Sequence, residues 1–214
     1  MDTVKLTKEQ KDLLVEIESA GVAIEYLLSV KGKADVDDYL AHKQAALSVL
    51  EKVKKDTDDQ IARSLLSDRY KNKKRSDFFQ VEIDHDKLDG ERISLQEFLG
   101  FYYDLEKQKC ALRGQTSHLL NNVLNDNTQD SGYVYAFFDP PYTIRGSMEE
   151  KSGMFRDIEM LFFGKFDSQA QIWKWSDSCS NYFDSGNEWW GSYFYTYAPS
   201  DSEVILSIVA STTD

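Results

Sequence analysis

The chain has 214 residues, 41% of them hydrophobic, 29% charged and 13% aromatic, a balance that suits a soluble globular protein able to bury a sizeable core. Its net charge of −12 argues against a nucleic-acid binder, which needs cations to meet phosphates, and against docking on anionic lipid. No apolar run approaches the roughly 20 residues that a membrane helix needs. The two cysteines, Cys110 and Cys179, are too few for a disulfide framework, although one bridge between them stays open.

The opening residues have no apolar targeting core, so a cytoplasmic protein without a secretory signal is expected. Charge and rings are unevenly divided. Residues 1–75 hold 15 basic and 14 acidic residues, against 10 and 23 in residues 76–214, which also hold 25 of the 28 aromatics. We read the whole chain, 1–214, as one domain of class α+β: an N-terminal helical layer (1–75) packed on a mainly antiparallel sheet formed by the acidic, aromatic-rich C-terminal part (76–214).

In chain order, Thr7–Gln10 fits a capping box with Leu6 as its staple. Leu13, Leu14, Ile17, Ala20, Ile24, Leu27 and Leu28 then recur at helical spacing, which predicts one helix ending near Lys31-Gly32-Lys33. Asp35 is placed to cap a second helix carrying Val36, Tyr39, Leu40, Leu47, Leu50 and Val53. Asp56–Asp59 either cap a third helix or lie inside one long rod. Lys71–Arg75 is a basic run that suits a solvated helix end. Phe78–Ile83 alternates like a strand. Ser94-Leu95-Gln96-Glu97 is a second capping box, opening a helix with Phe98, Leu99, Tyr102 and Leu105 that breaks near Gly114 or runs on to Leu124. Cys110 falls on that helix. A polar loop follows at Asn125–Gly132. Tyr133–Phe138 reads as a strand, Asp139–Tyr142 as a turn and Thr143–Gly146 as the return strand. Met154–Phe166 fits a helix, with an end that leans toward strand. Ile172–Ser176, Trp189–Ala198 and Val204–Ala210 read as antiparallel strands separated by turns. Cys179, in one of those turns, is expected to be exposed.

Three constellations bear on chemistry. Asp84–Glu97 follows the residue order of a calcium loop, but Asp84 to Glu97 spans 14 residues with Gly90 seventh, where the regular loop has 12 and Gly sixth; a turn leading into a capped helix is the simpler reading. Asp139-Pro140-Pro141-Tyr142 resembles the catalytic tetrapeptide of DNA adenine methyltransferases. That resemblance implies Asp139 as the acceptor of the target amino group and Tyr142 as a stacking ring. The glycine-rich loop such an enzyme needs for its cofactor is missing, and a rigid proline turn accounts for the four residues. His42, His85 and His118 show no metal-ligand spacing.

Asn181–Trp190 is the most informative cluster, because carboxylates alternate there with rings. Tyr182, Asp184, Glu188, Trp189 and Trp190 are the candidate partner-binding residues, anchors of the type used against a basic protein. A strand running through Trp189 and Trp190 would bury one indole and expose the other. With no catalytic set, no metal site and no cofactor motif in view, we expect a non-catalytic protein-binding protein of bacterial type. Its class would be an immunity or inhibitor protein that neutralises a basic toxin or enzyme, with no nucleic-acid or membrane partner and self-association left open. The alternative is a hydrolase or transferase with Asp184 and Glu188 in an aromatic cleft.

Overall fold

The computed structural model describes residues 1–31, 37–110 and 132–212. Helix α1 (Lys8–Ala20) begins at the expected capping box, in which Thr7 and Gln10 satisfy each other's backbone N–H groups. It stops at Gly21, whose φ of 104° suits glycine, and whose N–H closes the helix on the Ile17 and Glu18 carbonyls. A Cβ at this position would press on the Thr143 carbonyl oxygen at 3.0 Å.

The chain therefore leaves Gly21 as a strand, β1 (Ile24–Val30), and not as the expected continuation of the helix. Ile24, Tyr26 and Leu28 are buried on one side in strand alternation. The strand pairs along its whole length with β7 (Val204–Ala210), from Ile24↔Ala210 to Val30↔Val204. A spacing of 24, 27 and 28 also fits a helix, but the left-handed glycine and the waiting strand decide the outcome.

Helix α2 (Asp38–Leu65) is one uninterrupted 28-residue rod, with Asp56–Asp59 inside it. The Asp37 side chain accepts the Tyr39 N–H and caps it; the expected cap, Asp35, and the expected stop at Gly32-Lys33 lie outside the described residues. Lys71–Arg75 follows in short turns, where Arg75 pairs with Asp58. Phe78–Ile83 is irregular and not a strand. It is held to the turn after β5 (Gln171–Trp175) by the Ile83↔Ser180 bridge and by the Asn181 side chain, which bonds Glu82 N and Gln80 O.

Strand β2 (Gly90–Arg92) leads to α3 (Leu95–Leu99), capped by Ser94 and Glu97 as expected. The helix ends at Gly100 (φ 77°), so Tyr102 and Leu105 lie beyond it, and a hairpin of β3 (Tyr103–Asp104) and β4 (Lys109–Cys110) takes the place of the longer helix. Cys110 is thus on a short strand. The expected extension from Gly114 to Leu124 and the loop from Asn125 to 131 lie outside the described residues. Tyr133–Phe138 forms a helix, α4 (Gly132–Phe138), where alternation suggested a strand. Nearly every one of its residues is buried, and a fully buried apolar run does not distinguish helix from strand by period. Thr143–Gly146, expected as the return strand, pairs with no strand among the described residues. Helix α5 (Met148–Ile158) continues into a π-helical turn at Glu159–Phe163 that Gly164 closes at φ 64°, so the strand-like end expected there is helical.

After β5 come α6 (Asp184–Trp189), β6 (Tyr193–Ala198) and β7. The architecture is α+β: a five-stranded antiparallel sheet in the order β1-β7-β6-β5-β2. Helix α2 covers one face through Ala46, Val49, Leu50 and Val53, packed with Phe194, Val209 and Trp175. The other face carries Tyr26, Tyr195, Tyr197 and Ile208 beneath α1, α3, α4 and α5. Both β6 and β7 are buried on both faces. Among the described residues no helix is long and apolar enough to cross a membrane.

Candidate functional site

Between β5 and β6 the chain makes an excursion through Ser176–Ser192, and this excursion builds the site. Helix α6 is pressed onto the end of β7 by Gly186, where a Cβ would lie 2.5 Å from Ser211 Oγ and 2.6 Å from the Gly191 carbonyl oxygen. Gly191, at φ 122°, then turns the chain into β6. Successive residues of a helix point about 100° apart, so the two adjacent indoles part company. Trp190 is 8% exposed; its Nε1–H donates to the Asp139 carbonyl at 2.7 Å and its ring lies 5.0 Å from Tyr193. Trp189 is 53% exposed. The expected division into one buried and one exposed tryptophan is therefore met, although helix geometry produces it. The strand begins only at Tyr193.

The exposed indole borders a cleft of about 880 Å³ where β2 and the end of β5 meet the start of β6. The aromatic residues Tyr135, Trp175, Trp190 and Tyr193 line it too, and Gly90 lets β2 lie directly on the Trp175 ring, since a Cβ would come within 2.6 Å of it. Among the described residues that line it the charge is one-sided, with Asp89, Glu91, Asp177 and Glu188 against one cation, Lys174. Two of these carboxylates have structural work. Asp89 accepts from the Tyr39 hydroxyl at 2.8 Å and from Gly90 N at 2.9 Å, which holds its pKa below the usual value. Asp177 accepts from the Ser192 hydroxyl at 2.6 Å. Glu91 and Glu188 are exposed and have no hydrogen-bond or ion-pair partner among the described residues.

Behind the cleft, burial raises the Asp139 carboxyl above its ordinary value, while a hydrogen bond from Tyr135 opposes the rise. The Tyr102 ring stacks near Tyr135 at 6.2 Å, and its buried hydroxyl has no partner among the described residues.

Of the five residues expected to bind a partner, the cleft gathers Glu188, Trp189 and Trp190. The other two lie elsewhere. Asp184 is exposed at the far end of α6, about 6 Å along the axis from Glu188, and does not line the cleft. Tyr182 faces a separate cavity of about 270 Å³ with Ile17, Tyr26 and Glu25, where burial raises its phenol. The aromatic cleft holds Glu188 without its proposed catalytic partner. Asp89, Glu91, Lys174 and Asp177 escaped the sequence reading because the pairing of β2 with β5, between positions 81 to 85 residues apart, is what brings them to α6.

The remaining motifs have local roles. Asp84 caps a short turn and pairs with Lys87, and Glu97 accepts the Ser94 N–H at 2.7 Å, so the two ends of the calcium-like stretch serve different caps. No group of three His, Cys, Asp or Glu suited to a metal ion occurs among the described residues. Asp139–Tyr142 follows a helix, whereas the methyltransferase tetrapeptide sits at a strand end. His42 is buried between α2 and the sheet, His85 lies 3.5 Å from Glu51 on the surface, and His118 is outside the described residues. Cys179 is fully buried, contrary to its expected exposure, because its carbonyl accepts the Asp84 N–H at 2.7 Å and its side chain enters the core under α2. Both cysteines are free thiols, raised by burial to about 12 for Cys110 and about 11 for Cys179.

Comparison with protein-family models, with curated proteins and with solved structures finds no match to this chain.

Proposed function

We propose that the chain is a non-catalytic binding protein whose acidic aromatic cleft receives a basic protein partner, in the manner of a cytoplasmic immunity or inhibitor protein that neutralises a toxin or enzyme. The observation that supports this reading is the pairing, at one cleft, of a half-exposed tryptophan with four carboxylates against one lysine among the described residues that line it. Exposed indoles are strong interface anchors, and a charge imbalance of this kind speeds association with a cationic surface. The hydrolase or transferase alternative is weakened by the position of Asp184, since acid–base work on a glycosidic bond needs two carboxylates facing each other over roughly 5–10 Å.

The test is affinity capture from the native host, comparing the natural protein with Glu188→Lys, followed by kinetics with the recovered partner. Association should slow as salt rises and the Debye length shrinks toward about 3 Å at 1 M, and Glu188→Lys should slow it further. A partner seated on α2, or binding indifferent to salt, would overturn the proposal. Turnover of a small substrate that Glu188→Gln abolishes would favour the enzyme alternative.

A further inference from the structure

We infer that the group the cleft receives is an arginine side chain of the partner, its guanidinium laid on the exposed indole of Trp189 and bonded to the carboxylate of Glu188. This rests on the preceding reading of the cleft as a protein-binding site and names the chemistry it selects.

Three observations separate arginine from other cations. First, the most exposed ring of the cleft lining is the Trp189 indole, and Tyr135, Trp190 and Tyr193 line the same cleft. A planar, weakly hydrated guanidinium stacks on such a face, whereas a compact, strongly hydrated ammonium gains less there. Second, Glu188 lines the same cleft as that indole and has no hydrogen-bond or ion-pair partner among the described residues, so both of its carboxylate oxygens are open to the paired N–H groups of a guanidinium held in the cleft. Glu91, on the β2 side of the same cleft, is also unengaged and adds a second acceptor. Third, the cleft is not built for a bare metal ion. Asp89 and Asp177 are turned to Tyr39, Gly90 and Ser192, and no three ligating side chains converge among the described residues. With Asp89 fixed through Oδ1 and Asp177 through Oδ2, the lining carboxylates that have no partner among the described residues are Glu91 and Glu188, in a cleft whose most exposed ring is an indole, which suits a flat, charged side chain more than a run of lysines.

The experiment uses the full chain and three fluorescently labelled octapeptides of alternating glycine with arginine, with lysine or with glutamate, followed by fluorescence anisotropy at low and at physiological salt. The arginine peptide should bind about tenfold more tightly than the lysine peptide, as a cation–π contact on a partly desolvated indole implies, and the glutamate peptide should not bind. Trp189→Ala should erase the difference between arginine and lysine, while Trp189→Phe, which keeps a ring face, should retain part of it. Glu188→Gln should weaken the arginine peptide more than the lysine peptide. Trp189 is 53% exposed and Glu188 is exposed, so these variants should fold, which circular dichroism will verify. Equal affinity for arginine and lysine, or a preference that survives Trp189→Ala, would overturn the inference. If, in addition, capture of the host partner is lost in Glu188→Lys and intact in Trp189→Ala, the cleft remains the site for a basic partner and only the arginine assignment fails. If neither variant changes capture or peptide binding, both fail.

Discussion

The two faces of the central sheet are packed by different means. On one, a single long helix lies close to the strands because it presents small side chains: Ala41, Ala45 and Ala46 are buried there. That closeness brings polar groups inside, and several find partners there, while Ser29 Oγ and His42 Nε2 are buried without one among the described residues. Ser207 Oγ donates to the Ala45 carbonyl at 2.9 Å, and Thr196 Oγ1 accepts the Trp175 indole N–H at 2.9 Å while standing 2.8 Å from His42 Nδ1. On the other face the cover is four helices of 5 to 13 residues, too short to be stable alone. Rings hold them to the sheet: Phe98 stacks on Tyr133 at 5.1 Å and meets Tyr195 edge-on at 5.2 Å, and Phe155 lies 5.1 Å from Phe137. The difference teaches that the α2 face depends on hydrogen bonds made possible by small residues, whereas the opposite face depends on ring volume.

The largest effect should come from removing volume on the ring face. Phe98 is fully buried at the centre of five ring contacts. Phe98→Ala should cost about 3–5 kcal/mol in urea unfolding. A loss below about 1 kcal/mol would mean that the short helices are held by something other than these rings.

The α2 face should be the one that senses acid. Burial depresses the pKa of His42 to about 4, and Lys31 adds to the depression while Asp38 opposes it. The folded state therefore holds the imidazole neutral, and the unfolded chain, with a value near 6.5, takes up the proton first. The resulting stability is complete above about pH 6.5 and is lost as the pH falls toward about 4, by about 3 kcal/mol. Urea titrations at pH 7 and pH 4 measure this difference. His42→Gln should shrink it, whatever its stability at pH 7; an unchanged difference would show that the acid sensitivity lies elsewhere.

A smaller effect should come from a buried polar pair on the ring face. Tyr26 and Tyr133 share a buried hydroxyl–hydroxyl bond of 2.8 Å. Tyr26→Phe leaves Tyr133 without that partner and should cost about 1–3 kcal/mol, and adding Tyr133→Phe should restore part of the loss. If the double variant is no better than the single one, ring packing and not the hydroxyl pair is what the substitution disturbed.

Sequence alone determined the features whose causes are local. The capping boxes at Thr7–Gln10 and Ser94–Glu97 are complete within four residues, so they formed as read. The run Val204–Ala210 is a strand residue for residue as expected, and Ile172–Trp175 lies within β5, because alternating or β-branched runs bounded by turn residues have one good outcome. Adjacent tryptophans divide between core and surface in either a strand or a helix, which is why that expectation survived a wrong element.

Tertiary structure decided wherever one pattern served two conformations. Ile24–Val30 fits a helix by spacing and became a strand because β7 offered its free edge. Tyr133–Phe138 fits a strand by composition and became a helix because a site enclosed by Phe98, Phe155 and Phe163 favours a segment whose backbone bonds to itself. Phe78–Ile83 alternates, yet among the described residues its only ladder contact is the isolated Ile83↔Ser180 bridge. The candidate site belongs to the same class. Glu188, Trp189 and Trp190 are neighbours in the chain and were legible as a cluster. Their union with Glu91 and Lys174 follows from the pairing of β2 with β5. A contact between residues so far apart is set by the packing of the whole sheet, and nothing in either segment alone encodes it.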